Sequence, residues 1–182
     1  SHGGRGFSIV VKDYSAKHLL DKGSTYTNLD IIKKQFSYYK EFPPVIVSEY
    51  MPKKEYSVDC FSSKDKKIII PRVREKTRSG ICVKGKVVNE KNLIDMSKKI
   101  LDYFKLSYNI NIQYKYDKYN NPKILEVNPR LSGTVVLCNS VGYNMPVIAI
   151  KSAIKEEIIE KELPSKNKTM YRVWKELYHN EF

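Results

Sequence analysis

From Tyr56 to Phe61 the chain alternates: Tyr56, Val58 and Cys60 fall on one side, Ser57, Asp59 and Phe61 on the other. A period of two predicts a strand over 55–62. Residues 45–50, 67–73 and 81–88 read as three further strands of similar length, and Phe7 to Tyr14 as a first one. Helical spacing appears in other places. Ser15 can cap a short helix through Leu20 that Gly23 ends. Leu29, Ile32, Phe36 and Tyr39 form one helical stripe, with Thr27 or Asn28 as cap. Asn89 precedes another stripe of Leu93, Met96, Ile100, Leu101 and Phe104. Residues 109–118 and 122–127 read as strands around the turn Tyr119-Asn120-Asn121-Pro122, a hairpin. Pro146 suits the first turn of a helix running to about residue 160, and 170–178 reads as a last strand after a polar loop at 163–169. Phe42-Pro43-Pro44 interrupts the chain. The pattern predicts an α+β fold, mainly antiparallel, with lobes at 1–42 and 43–182.

Composition changes this picture little. Of 182 residues, 41% are apolar and 29% charged, ordinary usage for a chain that builds a core. No apolar run approaches the roughly 20 residues that cross a bilayer. Cys60, Cys82 and Cys138 are odd in number and form no CxxC pair, which argues against a disulfide framework or a zinc site. The expectation is a cytoplasmic protein without a membrane partner. The net charge of +13 favours anionic ligands. Tyrosines interleave with lysines at Tyr114 to Tyr119, as on single-strand nucleic-acid surfaces. The lysines are nonetheless scattered along the whole chain, and Tyr–Lys alternation is also the pattern of a half-buried strand, so nucleic acid is the weaker reading.

Candidate chemistry sits in four places. Gly3-Gly4-Arg5-Gly6 can bring backbone N–H groups and a guanidinium to a phosphate. Ser48 to Asp59 leaves one strand, turns at Pro52 and enters the next at Glu55, a carboxylate able to accept bonds from ribose hydroxyls. Gln113 lies on one arm of the predicted hairpin and Glu126 and Asn128 on the other. Pairing around 119–122 lets Gln113 and Glu126 fall on neighbouring rungs, and Glu126 and Asn128, two apart, share a side. One carboxylate and two amide oxygens suit Mg²⁺, which takes its remaining ligands from phosphate and water. Arg130 follows and can hold a phosphoryl group, or else pair with Glu126. Arg72, Arg74, Lys76 and Arg78 read as a cationic loop between two strands, suited to an anionic substrate or polyphosphate.

Read in order, these pieces resemble an ATP-grasp domain, above all that of the carbamoyl phosphate synthetase large chain and its short free-standing relatives. The resemblance rests on SEYMPKKEYSVD at 48–59, NIQY at 111–114, ILEVNPRLSGT at 124–134, GYNMPVIAIK at 142–151 and the tail MYRVWKEL. It covers nearly the whole chain. It implies ATP and Mg²⁺ (or Mn²⁺) as cofactors and, as activity, the activation of a carboxylate as an acyl phosphate that an amine then displaces. Carried over by position, Ser48, Glu49, Tyr50 and Met51 form the link that reads adenine, and Glu55 binds ribose. Gln113, Glu126 and Asn128 surround the metal. Arg130, with Asn128, serves catalysis at the phosphate, Arg78 nears the polyphosphate, and Gly4, Arg5 and Gly6 belong to a mobile lid. Ser48 departs from the carboxylate found in many relatives. The strand that normally precedes the Gly-rich lid is absent, so the expectation is a carboxy-terminal fragment whose partner is the missing amino-terminal part of the same enzyme. The alternatives are a carbamoyl phosphate synthetase half acting on bicarbonate or carbamate, and a non-catalytic nucleotide-binding module.

Overall fold

The computed structural model describes residues 8–15, 26–42, 44–78, 80–159, 163, 168–176 and 178. The chain divides into two compact units, Ser1–Tyr50 and Met51–Phe182.

In the first unit β1 (Ile9–Val10) pairs in parallel with β2 (Tyr26–Thr27). Asn28 then caps α1 (Leu29–Phe36), its side-chain oxygen accepting from the Ile31 N–H at 2.9 Å. Phe36 meets Tyr39 and Phe42 edge-on just past the helix. The strand foreseen over Phe7 to Tyr14 shrinks to two residues. The helix foreseen from Ser15 to Leu20 lies, past Ser15, outside the described residues, as does the Gly4–Gly6 motif. The strand foreseen at 45–50 does not form: the segment is irregular, with Ile46 and Val47 almost fully exposed. Its β-branched residues favour an extended backbone, but among the described residues no neighbouring strand supplies a ladder.

The second unit is built on a six-stranded sheet of order β7-β6-β3-β4-β5-β8, antiparallel throughout. In chain order its elements are β3 (Glu55–Ser62), β4 (Lys67–Arg78), β5 (Ile81–Val87), α2 (Lys91–Tyr103), β6 (Tyr108–Tyr116), β7 (Pro122–Asn128), α3 (Val136–Asn139), α4 (Met145–Ala153) and β8 (Thr169–Tyr171). The alternation read from the sequence sorts β3 onto two faces. Tyr56, Val58 and Cys60 join Ile69, Val73, Ile110 and Ile112 on the back, where Leu93 and Leu101 of α2 cover them. Phe61, Ile68, Ile70 and Val87 pack on the front against Leu137 and Cys138 of α3 and Met145 and Ile148 of α4. Coverage on both faces explains why β3 is buried from Tyr56 to Ser62 without a break. Along β3 the front face changes character, from Phe61 through Asp59 and Ser57 to Glu55. The apolar end anchors helices and the polar end is left for chemistry.

Several boundaries differ from expectation. β4 runs on to Arg78, and Gly80, at φ 78°, closes its hairpin with β5. The cationic loop is therefore a strand. α2 starts from Glu90 rather than Asn89 and has no side-chain cap bond, and Phe104 is exposed at its end. α4 stops at Ala153, with Lys155 in the left-handed region at φ 61°. The last strand spans three residues, and α3 had no periodicity to announce it.

The β6–β7 hairpin is held at its turn by Asp117, itself buried. One carboxylate oxygen accepts from the backbone N–H groups of Tyr119 and Asn121, both at 2.8 Å. The backbone bond from Asn121 is the main reason this carboxyl titrates below its usual range. A depressed folded-state pKa stabilises the fold above the unfolded value and loses that effect as pH falls through the folded one. Urea midpoints of the wild type are therefore expected to drop between about pH 5 and about pH 2 by more than those of Asp117→Asn. Equal drops would show that Asp117 does not contribute.

Candidate active site

The polar end of the front face is assembled by register. Ser57 stands opposite Arg72 on β4 and Gln113 on β6, and Gln113 stands opposite Glu126 on β7. Two rungs on, on the same face, Asp59 stands opposite Asn111 and Asn111 opposite Asn128. The neighbouring rungs anticipated for Gln113 and Glu126 are thus one rung. A side-chain chain crosses the sheet there: the Gln113 amide donates to Glu126, Arg74 donates to the Gln113 amide oxygen at 3.1 Å, and Arg74 is ion-paired with Glu55. Arg74 also donates to the Gly80 carbonyl at 2.6 Å, which ties the hairpin tip to the same network.

Beneath this row lies a buried ion pair that the sequence did not reveal. Arg72 and Asp59 are 2% and 3% exposed and 2.6 Å apart. The Arg72 guanidinium also donates to the Ser57 hydroxyl at 3.1 Å, the Ser132 hydroxyl at 2.7 Å, and both the carbonyl and hydroxyl of Thr134. Asn111 donates to Ser57 at 2.8 Å and to Asp59 at 3.0 Å. So many donors and acceptors offset the desolvation of two charges. They also pin the loop that follows β7 over the middle of the sheet. The Cys138 thiol donates to Asp59 at 3.2 Å, and burial followed by that carboxylate raises its pKa well above the thiol range. It is a packed hydrogen-bond donor, not a nucleophile.

Glu126 is half-buried, and takes its bond from Gln113 rather than forming the alternative pair with Arg130. Asn128 has its amide nitrogen buried without a partner, while its oxygen has only a long 3.5 Å contact from Arg130. A carboxylate with an adjacent, weakly engaged amide oxygen fits a hard cation. Gln113 fits less directly: its amide oxygen faces Arg74, and the amide must turn over to reach a cation beside Glu126. Among the described residues no three His, Cys, Asp or Glu form a metal-holding group, so the donor set is one carboxylate with amides.

The remaining predicted residues are spread. Ser48, Glu49 and Tyr50 end the first unit and Met51 opens the second, in a stretch without regular structure. Glu55 lines a cleft of 610 Å³ together with Arg74 and Lys115 from the front face and Tyr56, Val73 and Lys86 from the back. Arg78 ends β4 with its guanidinium 5.5 Å from the Trp174 ring centre. Sequence reasoning missed Arg74 as a bridge between Glu55 and Gln113, although its spacing of two from Arg72 marked a shared face.

This antiparallel sheet, with helices packed on both faces, is the ATP-grasp fold. The chain belongs to the family described as ATP-grasp in the biosynthetic pathway with Ter operon, whose profile matches residues 41–176. Its fold is similar to that of biotin carboxylase from Campylobacter jejuni, solved as a β-γ-ATP complex: TM-score 0.54 and 16% identity over 62% of this chain and 28% of that one. An ADP complex of N5-carboxyaminoimidazole ribonucleotide synthetase gives TM-score 0.56 and 16% identity over 65% and 33%. L-amino acid ligase from Bacillus licheniformis gives 0.53 and 13% over 68% and 34%. The chain therefore spans about a third of the length of these proteins. A search of curated proteins returned no match. No helix of the described residues is long and apolar enough to cross a membrane.

Proposed function

We propose that this chain is the ATP- and Mg²⁺-binding portion of a ligase that activates a carboxylate as an acyl phosphate for attack by an amine. One observation carries the reading: Gln113 and Glu126 share a rung of the β6–β7 ladder, and Asn128 lies two rungs on, on the same face and beside Arg130. In this reading Glu126 and Asn128 hold the metal, which when bound neutralises charge on the nucleotide's phosphates. Gln113 orients Glu126, and Arg130 contacts the phosphoryl group. Glu55, which lines the 610 Å³ cleft, receives the ribose, and its ion pair with Arg74 aims that carboxylate. Arg78 serves the polyphosphate, Ser48 to Met51 the adenine edge, and Gly4 to Gly6 a lid. Residues 1–42 and 43–182 act as the small and large lobes. The nucleotide-bound relatives of the same fold support the ligand, and the amino acid ligase supports the reaction type. Calorimetric titration with ATP is expected to give binding that requires Mg²⁺. Equal affinity in excess chelator, or no binding with Mg²⁺ present, would overturn the reading.

A further inference from the structure

The Ser62 end of the sheet, away from Glu55 and Gln113, carries a cluster with no part in the site. Strand register assembles it. Ser62 stands opposite both Lys67 and Tyr108, so β4, β3 and β6 meet there. Lys67 pairs with Asp102 at 2.7 Å, which brings the last turn of α2 alongside. Three aromatic side chains leave this corner for solvent: Tyr103, Phe104 and Tyr108 are 81%, 63% and 50% exposed. Tyr103 and Phe104 meet edge-on with ring centres 4.9 Å apart, and Tyr108 stands edge-on to buried Phe61 at 6.4 Å. Exposed clusters of this kind mark interaction surfaces.

The backbone holds the corner in a strained form. Past α2 the Lys105 N–H donates to the Asp102 carbonyl at 3.2 Å and the Leu106 N–H to the Leu101 carbonyl at 2.9 Å, a closure in which glycine usually fills the left-handed position. Lys105 fills it instead, at φ 50°, and Tyr108 has φ 62°. Glycine at either position would relieve the strain but delete a cation or a ring. The surrounding charge is one-sided. Lys64 in the β3–β4 turn, Lys98 and Lys99 of α2, and Lys105 are exposed, and none has an ion-pair partner among the described residues. Asp102 is engaged by Lys67, which leaves Asp65 and Asp95 against these lysines.

We infer that this corner docks on an anionic lipid surface, with Tyr103, Phe104 and Tyr108 in the headgroup layer and Lys64 and Lys105 on the lipid phosphates and carboxylates. Aromatic rings beside unpaired lysines suit the boundary between water and an anionic bilayer. Single-stranded nucleic acid calls for rings laid flat against successive bases, whereas the two ring pairs here stand at 82° and 80°. The absence of a long apolar run argues against crossing a bilayer and leaves contact with its surface open. Gln113 lies about 17 Å along β6 from Tyr108, at about 3.4 Å per residue, so a chain docked this way keeps its candidate site in water. The inference does not depend on the ligase reading.

The test is co-sedimentation of the 182-residue chain with vesicles of phosphatidylcholine and phosphatidylserine, against vesicles of phosphatidylcholine alone. Saturable binding to the mixed vesicles only is expected, weakening as salt rises. Phe104→Ala should weaken it about tenfold and Lys105→Gly about fivefold. Lys105→Gly should also raise the urea midpoint, because glycine suits the left-handed position, so its lost binding is not lost folding. Lys118→Gln, past the other end of β6, removes the same charge beyond the reach of the surface and should change binding by less than about twofold. No binding to the mixed vesicles, equal binding to phosphatidylcholine alone, full binding in Phe104→Ala, or an equal loss in Lys118→Gln would each overturn the inference. So would an oligouridylate that competes the vesicles away and itself binds more weakly to Phe104→Ala, a result that assigns the corner to single-stranded nucleic acid.

Discussion

Glu126→Gln is expected to abolish the Mg²⁺ dependence of ATP binding while leaving the fold intact. Glutamine keeps the shape and can still accept from the Gln113 amide, so the hairpin loses little. What it removes is the only carboxylate of the donor set. Two unit charges 4 Å apart interact by about 4 kcal/mol at an effective dielectric constant of about 20, and the cation is divalent. Affinity for Mg²⁺–ATP should therefore fall by a factor of roughly 100 or more. Affinity for ATP in excess chelator should not change, and neither should the urea midpoint. A parallel loss with and without Mg²⁺ would assign Glu126 to the shape of the site and not to its metal.

Arg72→Met should produce the largest loss of stability of any single change in the molecule. It leaves Asp59, almost fully buried, without its cation, and frees Ser57, Ser132 and Thr134 from a shared donor. Breaking one side of a buried pair costs about 3–5 kcal/mol. That is a large part of the roughly 5–15 kcal/mol that holds an ordinary domain together. Pairing the change with Asp59→Leu should recover part of the loss, since an apolar replacement of both partners leaves no stranded charge. Chemical unfolding of the wild type, the single variant and the double variant measures both statements. A single variant within about 1 kcal/mol of wild type would mean that water reaches Asp59 and the pair is not closed.

Much of the geometry of the candidate site was legible because strand periodicity carries it. Alternation in β3 assigned Ser57 and Asp59 to the face opposite Tyr56 and Val58, and the spacing of Glu126 and Asn128 placed both on one side of β7. The turn residues at 119–122 set the hairpin that brings Gln113 to Glu126. Arg72 was not legible. A charged residue after Ile68-Ile69-Ile70-Pro71 looks like the start of a loop, and its partner Asp59 is visible only once β3 and β4 are in register. The segment at 45–50 failed in the opposite direction, because apolar, β-branched composition signals strand propensity and not the presence of a neighbour. The end of α4 was hidden too: the apolar and charged residues after Ala153 continue a helical pattern, and Lys155 is not a residue that announces positive φ.

The β6–β7 ladder slips once. Gln113 faces Glu126, but Tyr114 faces Ile124, so Leu125 is the extra residue of a bulge directly beside Glu126. Such an insertion tightens the local right-handed coil of a strand and re-aims the side chains next to it. Leu125 therefore works as a steering joint. It turns the carboxylate end of β7 relative to the rest of the hairpin, and Pro122 to Ile124 keep their own pairing. Removing that one residue would let the rungs on either side join as an unbroken ladder. The chain would still fold, with a flatter sheet there and Glu126 re-aimed relative to Asn128.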